Sequence, residues 1–205
     1  MEQELSFKIK LQNIKRNSSA PDKASINKLY VFDFDEIDNY QKILFVDGDI
    51  ISLYDLKNVF NNTLCDDILY VYKENDDIQF HNHIFWGLEN YTPLELERFE
   101  KQKIYTFNCG IFLFNNTIGM KEDFKNIISF ILTYTGKSFY EQSFMNYYFN
   151  KKENVNYEIF TNNNYQLGVD PNIKYFDKII HFANAINNGN TKYENMVNYI
   201  KTHNL

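Results

Sequence analysis

Two carboxylates separated by one glycine, Asp47-Gly48-Asp49, stand directly after a short apolar run, Ile43-Leu44-Phe45-Val46. In an extended Asp-x-Asp the side chains point to opposite faces. A glycine between them lets the backbone turn, so that both can converge on one hard cation. Asp-Gly is also a frequent turn dipeptide, so the same residues read equally as a plain β-turn. His81-Asn82-His83 offers imidazoles, but no Cys or carboxylate sits at ligand spacing, and the segment reads as a surface loop. Cys65 and Cys109 are far apart and form no CxxC, which indicates neither a disulfide framework nor a zinc site.

The elements that must hold these groups follow from hydrophobic spacing. Ile43 to Val46 is too short for a buried helix and rich in β-favouring residues, so it predicts an interior strand ending on the acidic pair. Strands that stop on carboxylates at the carboxyl edge of an α/β sheet place them where ligands bind. Residues 5–14 alternate apolar and polar as a half-buried strand. Asp22 or Ser25 is placed to cap a helix carrying Ile26, Leu29, Tyr30 and Phe32 inward. Further strands are predicted around Ile68–Tyr72, Tyr105–Asn115, Tyr157–Phe160 and Lys178–Phe182, and short helical spacing at Asp55–Phe60. Longer helices are expected after Pro93, over Met120–Tyr134, from Phe139 to Phe149 and over Tyr193–His203. Asn108-Cys109-Gly110 reads as a polar turn entering the second buried strand. Strands alternating with helices imply an α/β protein with a mostly parallel central sheet flanked by helices.

A second acidic pair, Asp33-Phe34-Asp35, follows Val31-Phe32 and resembles the opening of haloacid-dehalogenase-type phosphatases. The usual small-Thr-apolar continuation is replaced by Glu36-Ile37-Asp38, so the pair reads as the solvated end of a helix or turn.

The 205 residues fit one domain, 1–205, long enough for a real core. The chain is 44% hydrophobic and 18% aromatic, which excludes a disordered polar chain. A net charge of −6 argues against general nucleic-acid binding, because no basic surplus displaces counterions from phosphates. No signal-type apolar segment or membrane-length apolar run is present, so the expectation is a cytoplasmic protein without a membrane span.

Four signals occur in order: Asp47-Gly48-Asp49, Phe107-Asn108-Cys109-Gly110, Glu141-Gln142, and Ile179-Ile180-His181-Phe182. Lys28 precedes them. Together they resemble the glycogenin-like family of retaining glycosyltransferases over roughly Ile26 to Phe182. That resemblance implies a GT-A-type nucleotide-diphospho-sugar transferase fold, its N-terminal strand–helix–strand unit reduced or missing here. It further implies a metal-dependent hexosyltransferase acting on a nucleotide-sugar, most simply a UDP-sugar, with retention of configuration.

By the same resemblance, Asp47, Asp49 and His181 hold Mn²⁺ or Mg²⁺, and Asn108, Glu141 and Gln142 face the reacting sugar. Lys28, Asp47 and Gly48 border the nucleotide phosphates. Glu141 stands where the family has Asp. The family's Gly-x-x-Lys after His-Phe is replaced by Ala183-Asn184-Ala185-Ile186-Asn187, with Lys192 as the available substitute for the diphosphate-gripping lysine. The acceptor is a carbohydrate or a protein, and self-association of the chain is compatible with the reading. The shortened start and lost lysine also fit an alternative, a non-catalytic GT-A-like binding or assembly subunit.

Overall fold

Residues 26–75, 91–133, 141–183 and 191–205 are described by a computed structural model. The strand expected at 5–14, the cap at Asp22 or Ser25 and the histidines of 81–83 lie outside them. Asn27–Asp33 is a 3-10 segment where a helix is expected, and a second 3-10 segment, Ile37–Asn39, follows it. Ile26 gives no side-chain cap, and Tyr30 leaves helical geometry at φ −90°, ψ 24°. A run of aromatic and β-branched residues without a cap favours such short 3-10 pieces. Leu29 still goes to the core, with Ile26 and Phe32 packed beside it.

The chain then forms β1 (Lys42–Val46), β2 (Ile50–Ser52) and the short α1 (Lys57–Phe60), whose first turn is held by Asp55 accepting from the Lys57 amide at 2.9 Å. Next come β3 (Leu69–Lys73) and α2 (Pro93–Gln102). Helix α2 starts as its sequence directs, with proline in the first turn and a reciprocal capping box between Thr92 and Glu95. They are followed by β4 (Phe107–Asn115), α3 (Ile118–Thr133), α4 (Glu141–Lys152), β5 (Val155–Phe160), β6 (Tyr165–Leu167), β7 (Ile179–His181) and α5 (Lys192–His203). A second capping box, Thr191 with Glu194, opens α5. The three-residue β6 was not foreseen, because a segment that short carries no periodicity to read.

Two sheets result, ordered β1-β4-β3-β5 and β2-β7-β6. Pairing is mixed: β1 with β4, β3 with β4 and β2 with β7 run antiparallel, whereas β3 with β5 and β6 with β7 run parallel. The expected mostly parallel sheet is corrected accordingly. β1 closes the order of its sheet among the described residues, and β4 lies inside it. Among the described residues the strand after Tyr105 has a neighbour on each side, and the one before Asp47 has a neighbour on one.

Asn108-Cys109-Gly110 is not a turn before β4 but part of it. Against β3, Val71 pairs with Phe112 while the adjacent Tyr72 pairs with Asn108, so residues 109–111 form a bulge. An inserted stretch reverses which face successive side chains occupy. Phe107, Cys109, Phe112 and Phe114 accordingly enter the core beneath α3 and α4, while Ile111 and Leu113 face Tyr165 and Ile179 of the second sheet. Burial on both faces explains the continuous apolar run of β4.

Amide side chains dock helix α4 on β4 and on Tyr105 just before it, Asn146 foremost. Buried Asn146 accepts from the Phe107 amide and donates to the Phe107 carbonyl, each at 2.9 Å. That clamp sits beside the bulge and brings the first turn of α4, Glu141 and Gln142, against it. Among the described residues no helix is long and apolar enough to cross a membrane.

Candidate functional site

Asp47-Gly48-Asp49 is both of the things its sequence allowed. It is a tight turn between β1 and β2, with the Ile50 amide donating to the Asp47 carbonyl at 3.2 Å. It also delivers both carboxylates to one cluster. The backbone is pinned on each side, the Asp47 amide donating to the Gly110 carbonyl at 2.8 Å and the Phe182 amide to the Asp49 carbonyl at 2.9 Å. Gly48 itself is exposed, its φ is not in the left-handed region, and a Cβ there would meet nothing within 4 Å. The turn therefore does not need glycine.

His181 arrives through the antiparallel pairing of β2 and β7, which sets it opposite Ile50. Its Nε2 lies 3.2 Å from Asp49 Oδ1, and its Nδ1 lies 2.7 Å from the Tyr165 hydroxyl on neighbouring β6. The imidazole fits only because residue 110 lacks a side chain. A Cβ on Gly110 would lie 2.3 Å from His181 Cε1 and 2.8 Å from Asn108 Oδ1. The Asn108 side chain is used locally, accepting from the Gly110 amide at 2.8 Å and shaping the bulge.

Two lysines complete the cluster. Lys28 Nζ contacts Glu141 Oε1 at 2.7 Å, Asp47 Oδ1 at 3.1 Å and the Cys109 carbonyl at 3.0 Å. Lys192, at the start of α5, reaches Asp49 Oδ2 at 2.6 Å. Burial disfavours a charged Lys28, but Glu141 and Asp47 outweigh it and hold its pKa above the ordinary value. Burial pushes Asp47 up against the pull of Lys28. Asp49 is also disfavoured by burial, yet its hydrogen bonds from His181 and Lys192 win and keep it far below the usual carboxylate range.

Gln142 is a connector. Its Oε1 accepts from the Cys109 amide at 3.2 Å and its Nε2 donates to Glu74 at 2.9 Å. Glu141 is buried, and its Oε2 has no hydrogen-bond partner among the described residues. A buried unsatisfied carboxylate oxygen is costly and calls for a donor from elsewhere.

Carboxylate oxygens of Asp47 and Asp49 and a ring nitrogen of His181 lie within 4.8 Å of one another. Two oxygens and one imidazole nitrogen suit a borderline divalent ion such as Mn²⁺. Among the described residues three carboxylates, Asp47, Asp49 and Glu141, face two ammonium groups, so a further cation is electrostatically welcome. For His181 Nε2 to ligate, the ring proton must sit on Nδ1, where the Tyr165 hydroxyl can accept it. The residues fit such an ion.

Lys28, Asp47, Asp49, Glu141, His181 and Lys192 are thus brought together, with Gln142 and Asn108 shaping the floor. Tyr165 and Glu74 were missed, since neither belongs to a recognisable motif. Asp33 and Asp35 lie exposed on and after a 3-10 segment rather than at the end of a strand, which removes the setting a phosphatase pair requires.

The chain is similar in structure to the apo form of WbbM, a bifunctional glycosyltransferase, with a TM-score of 0.55 and 17% sequence identity. The match covers 86% of this chain and 35% of that one, so the chain spans about a third of that protein's length. No protein-family model matches the sequence, and no curated protein does. The likeness establishes a mixed α/β fold shared with a glycosyltransferase.

Proposed function

We propose that the protein is a GT-A-type glycosyltransferase akin to the glycogenin-like family, transferring a hexose from a nucleotide-sugar, most simply a UDP-sugar, with retention of configuration. The observation that carries this reading is the convergence of Asp47, Asp49 and His181 from opposite ends of the sequence. The neighbouring Lys28 and Lys192 supply positive charge for a diphosphate.

Asp47, Asp49 and His181 would hold Mn²⁺ or Mg²⁺, which supplies Lewis-acid stabilisation of the departing diphosphate. Lys192 is half-exposed on the first turn of α5, free to exchange Asp49 for a phosphate oxygen, and so fills the part of the lysine lost after Ala183. Glu141 is held by Lys28 and is not an available nucleophile, which favours front-face transfer. The acceptor hydroxyl oxygen bonds to the anomeric carbon as the bond from that carbon to the diphosphate breaks. The hydroxyl proton passes to the leaving diphosphate oxygen. Glu141 Oε2 takes a hydrogen bond from a donor-sugar hydroxyl, ending its isolation. The protein contributes chiefly position and fixed charge.

Calorimetric titration with UDP, with and without Mn²⁺, tests this. Binding that requires the metal and disappears in Asp49→Ala is expected, followed by turnover on a panel of UDP-sugars. UDP affinity indifferent to Mn²⁺ and to Asp49→Ala would overturn the proposal. That result would favour the non-catalytic subunit, for which the ammonium groups already bound to Asp47 and Asp49 would be the resting arrangement.

A further inference from the structure

A concavity of about 630 Å³ opens at the carboxyl ends of the parallel neighbours β3 and β5. Carboxyl ends of adjacent parallel strands are where α/β sheets take ligands. The ladders of β3 to β4 and to β5 both shift register just before Tyr72, which then pairs with Asn108 and Phe160 at the mouth of the concavity. Tyr72, Lys73, Glu74, Tyr105, Asn162 and Asn163 line it.

The lining has a definite chemistry. Tyr72, packed on Tyr165 with ring centres 4.5 Å apart, and Tyr105, with Lys73 over its ring, offer their remaining ring surface with a polar tip. Tyr105 is braced edge-on by Tyr157, the ring centres 6.3 Å apart, and Tyr72 is fixed by donating its hydroxyl proton to Asn162 at 2.6 Å. Rigid aromatic platforms beside amide side chains suit the apolar faces and hydroxyl rims of sugar rings. The formal charges, Lys73 and Glu74, cancel. Lys73 Nζ also lies 4.8 Å over the Tyr105 ring, a cation–π contact that already engages it. A nucleoside diphosphate would therefore find no net attraction here, whereas a neutral sugar would meet no unpaired charge. The volume is within the 300–1,000 Å³ typical of small-ligand sites, in order of magnitude.

The cleft also communicates with the cluster. Glu74 in its wall accepts from Gln142, and Gln142 accepts from the Cys109 amide, whose own carbonyl receives Lys28. Gln142, next to Glu141 in the first turn of α4, thus ties the cleft wall to the backbone that Lys28 holds.

We infer that this cleft binds the acceptor, and that the acceptor is the uncharged end of a glycan rather than a protein side chain. The inference rests on the glycosyltransferase reading. Saturation-transfer NMR on the full chain, with lactose, maltose, cellobiose and diacetylchitobiose as probes, reads the cleft without turnover. At least one disaccharide binds wild type, and binds about tenfold more weakly to Tyr105→Leu, which loses one stacking surface. Asn163→Ala, on an exposed loop that does not endanger folding, weakens it as well. UDP affinity in the presence of Mn²⁺ stays unchanged in both variants.

Absence of any disaccharide signal in wild type, or a signal undiminished in both variants, overturns the inference. Hexose transferred from UDP-sugar onto the protein's own side chains instead of onto an added disaccharide also overturns it. Mn²⁺-dependent UDP binding, measured on the same samples, decides the transferase reading separately.

Discussion

Gly110→Ala is the most discriminating perturbation of this site. The added methyl would sit 2.3 Å from His181 Cε1 and 2.8 Å from Nδ1, whereas ordinary contact begins at 3.4 Å. The imidazole must therefore retreat by about an ångström, yet it is only 4% exposed and has β2, β6 and β4 around it. Retreat stretches both the 2.7 Å contact with Tyr165 and the 3.2 Å contact with Asp49. Overpacking of this kind costs about 1–3 kcal/mol. Misplacing a ligand through its supporting contacts lowers metal affinity by roughly 10–100-fold.

Urea unfolding at neutral pH measures the first effect, and UDP calorimetry across a Mn²⁺ series measures the second. Gly48→Ala is the internal control, because its methyl meets nothing and its backbone is not left-handed. It should change stability by less than about 0.5 kcal/mol. Should Gly110→Ala unfold at the wild-type midpoint and keep wild-type Mn²⁺ dependence, the packing argument for His181 is wrong.

Lys28→Met keeps the side-chain volume but strands Glu141 and Asp47. A loss of about 3 kcal/mol is expected in denaturant unfolding, because removing one partner of a buried ion cluster leaves its charges uncompensated. Tyr165→Phe removes only the hydroxyl facing His181 Nδ1. It should retain a cooperative transition while weakening Mn²⁺ binding by about tenfold, read by competition with a fluorescent chelator. Glu95 bears on the pH dependence. Burial disfavours its charge, but the hydrogen bonds from Lys151 and the Thr92 groups together outweigh it and hold its pKa below the ordinary value. Its contribution is therefore present above the unfolded glutamate pKa and lost as pH falls through the lowered folded value. Glu95→Gln should cost about 0.5–1 kcal/mol at pH 7 and nothing once both states are protonated, as paired urea titrations at the two pH extremes would register.

Much of this architecture is written in short-range sequence. The Asp47-Gly48-Asp49 turn, the capping boxes at Thr92 and Thr191, the proline opening α2 and the apolar runs of β1, β3 and β4 depend on neighbours a few residues away. The motif order points to Asp47, Asp49, Asn108, Glu141, Gln142 and His181, with Lys28 ahead of it and Lys192 as a substitute for an absent lysine. Pairing between distant segments decided the rest. No local pattern states that β4 pairs with both β1 and β3, nor that β2 meets β7 antiparallel so that His181 stands beside Asp49. The bulge at residues 109–111 turned an apparent Asn-x-Gly turn into the floor of the site. Register of this kind is fixed by the burial of whole faces, and one displaced residue moves every later side chain to the opposite face. The need for glycine also moved, from Gly48, where the chain alone suggested it, to Gly110, where a histidine more than seventy residues away takes up the space.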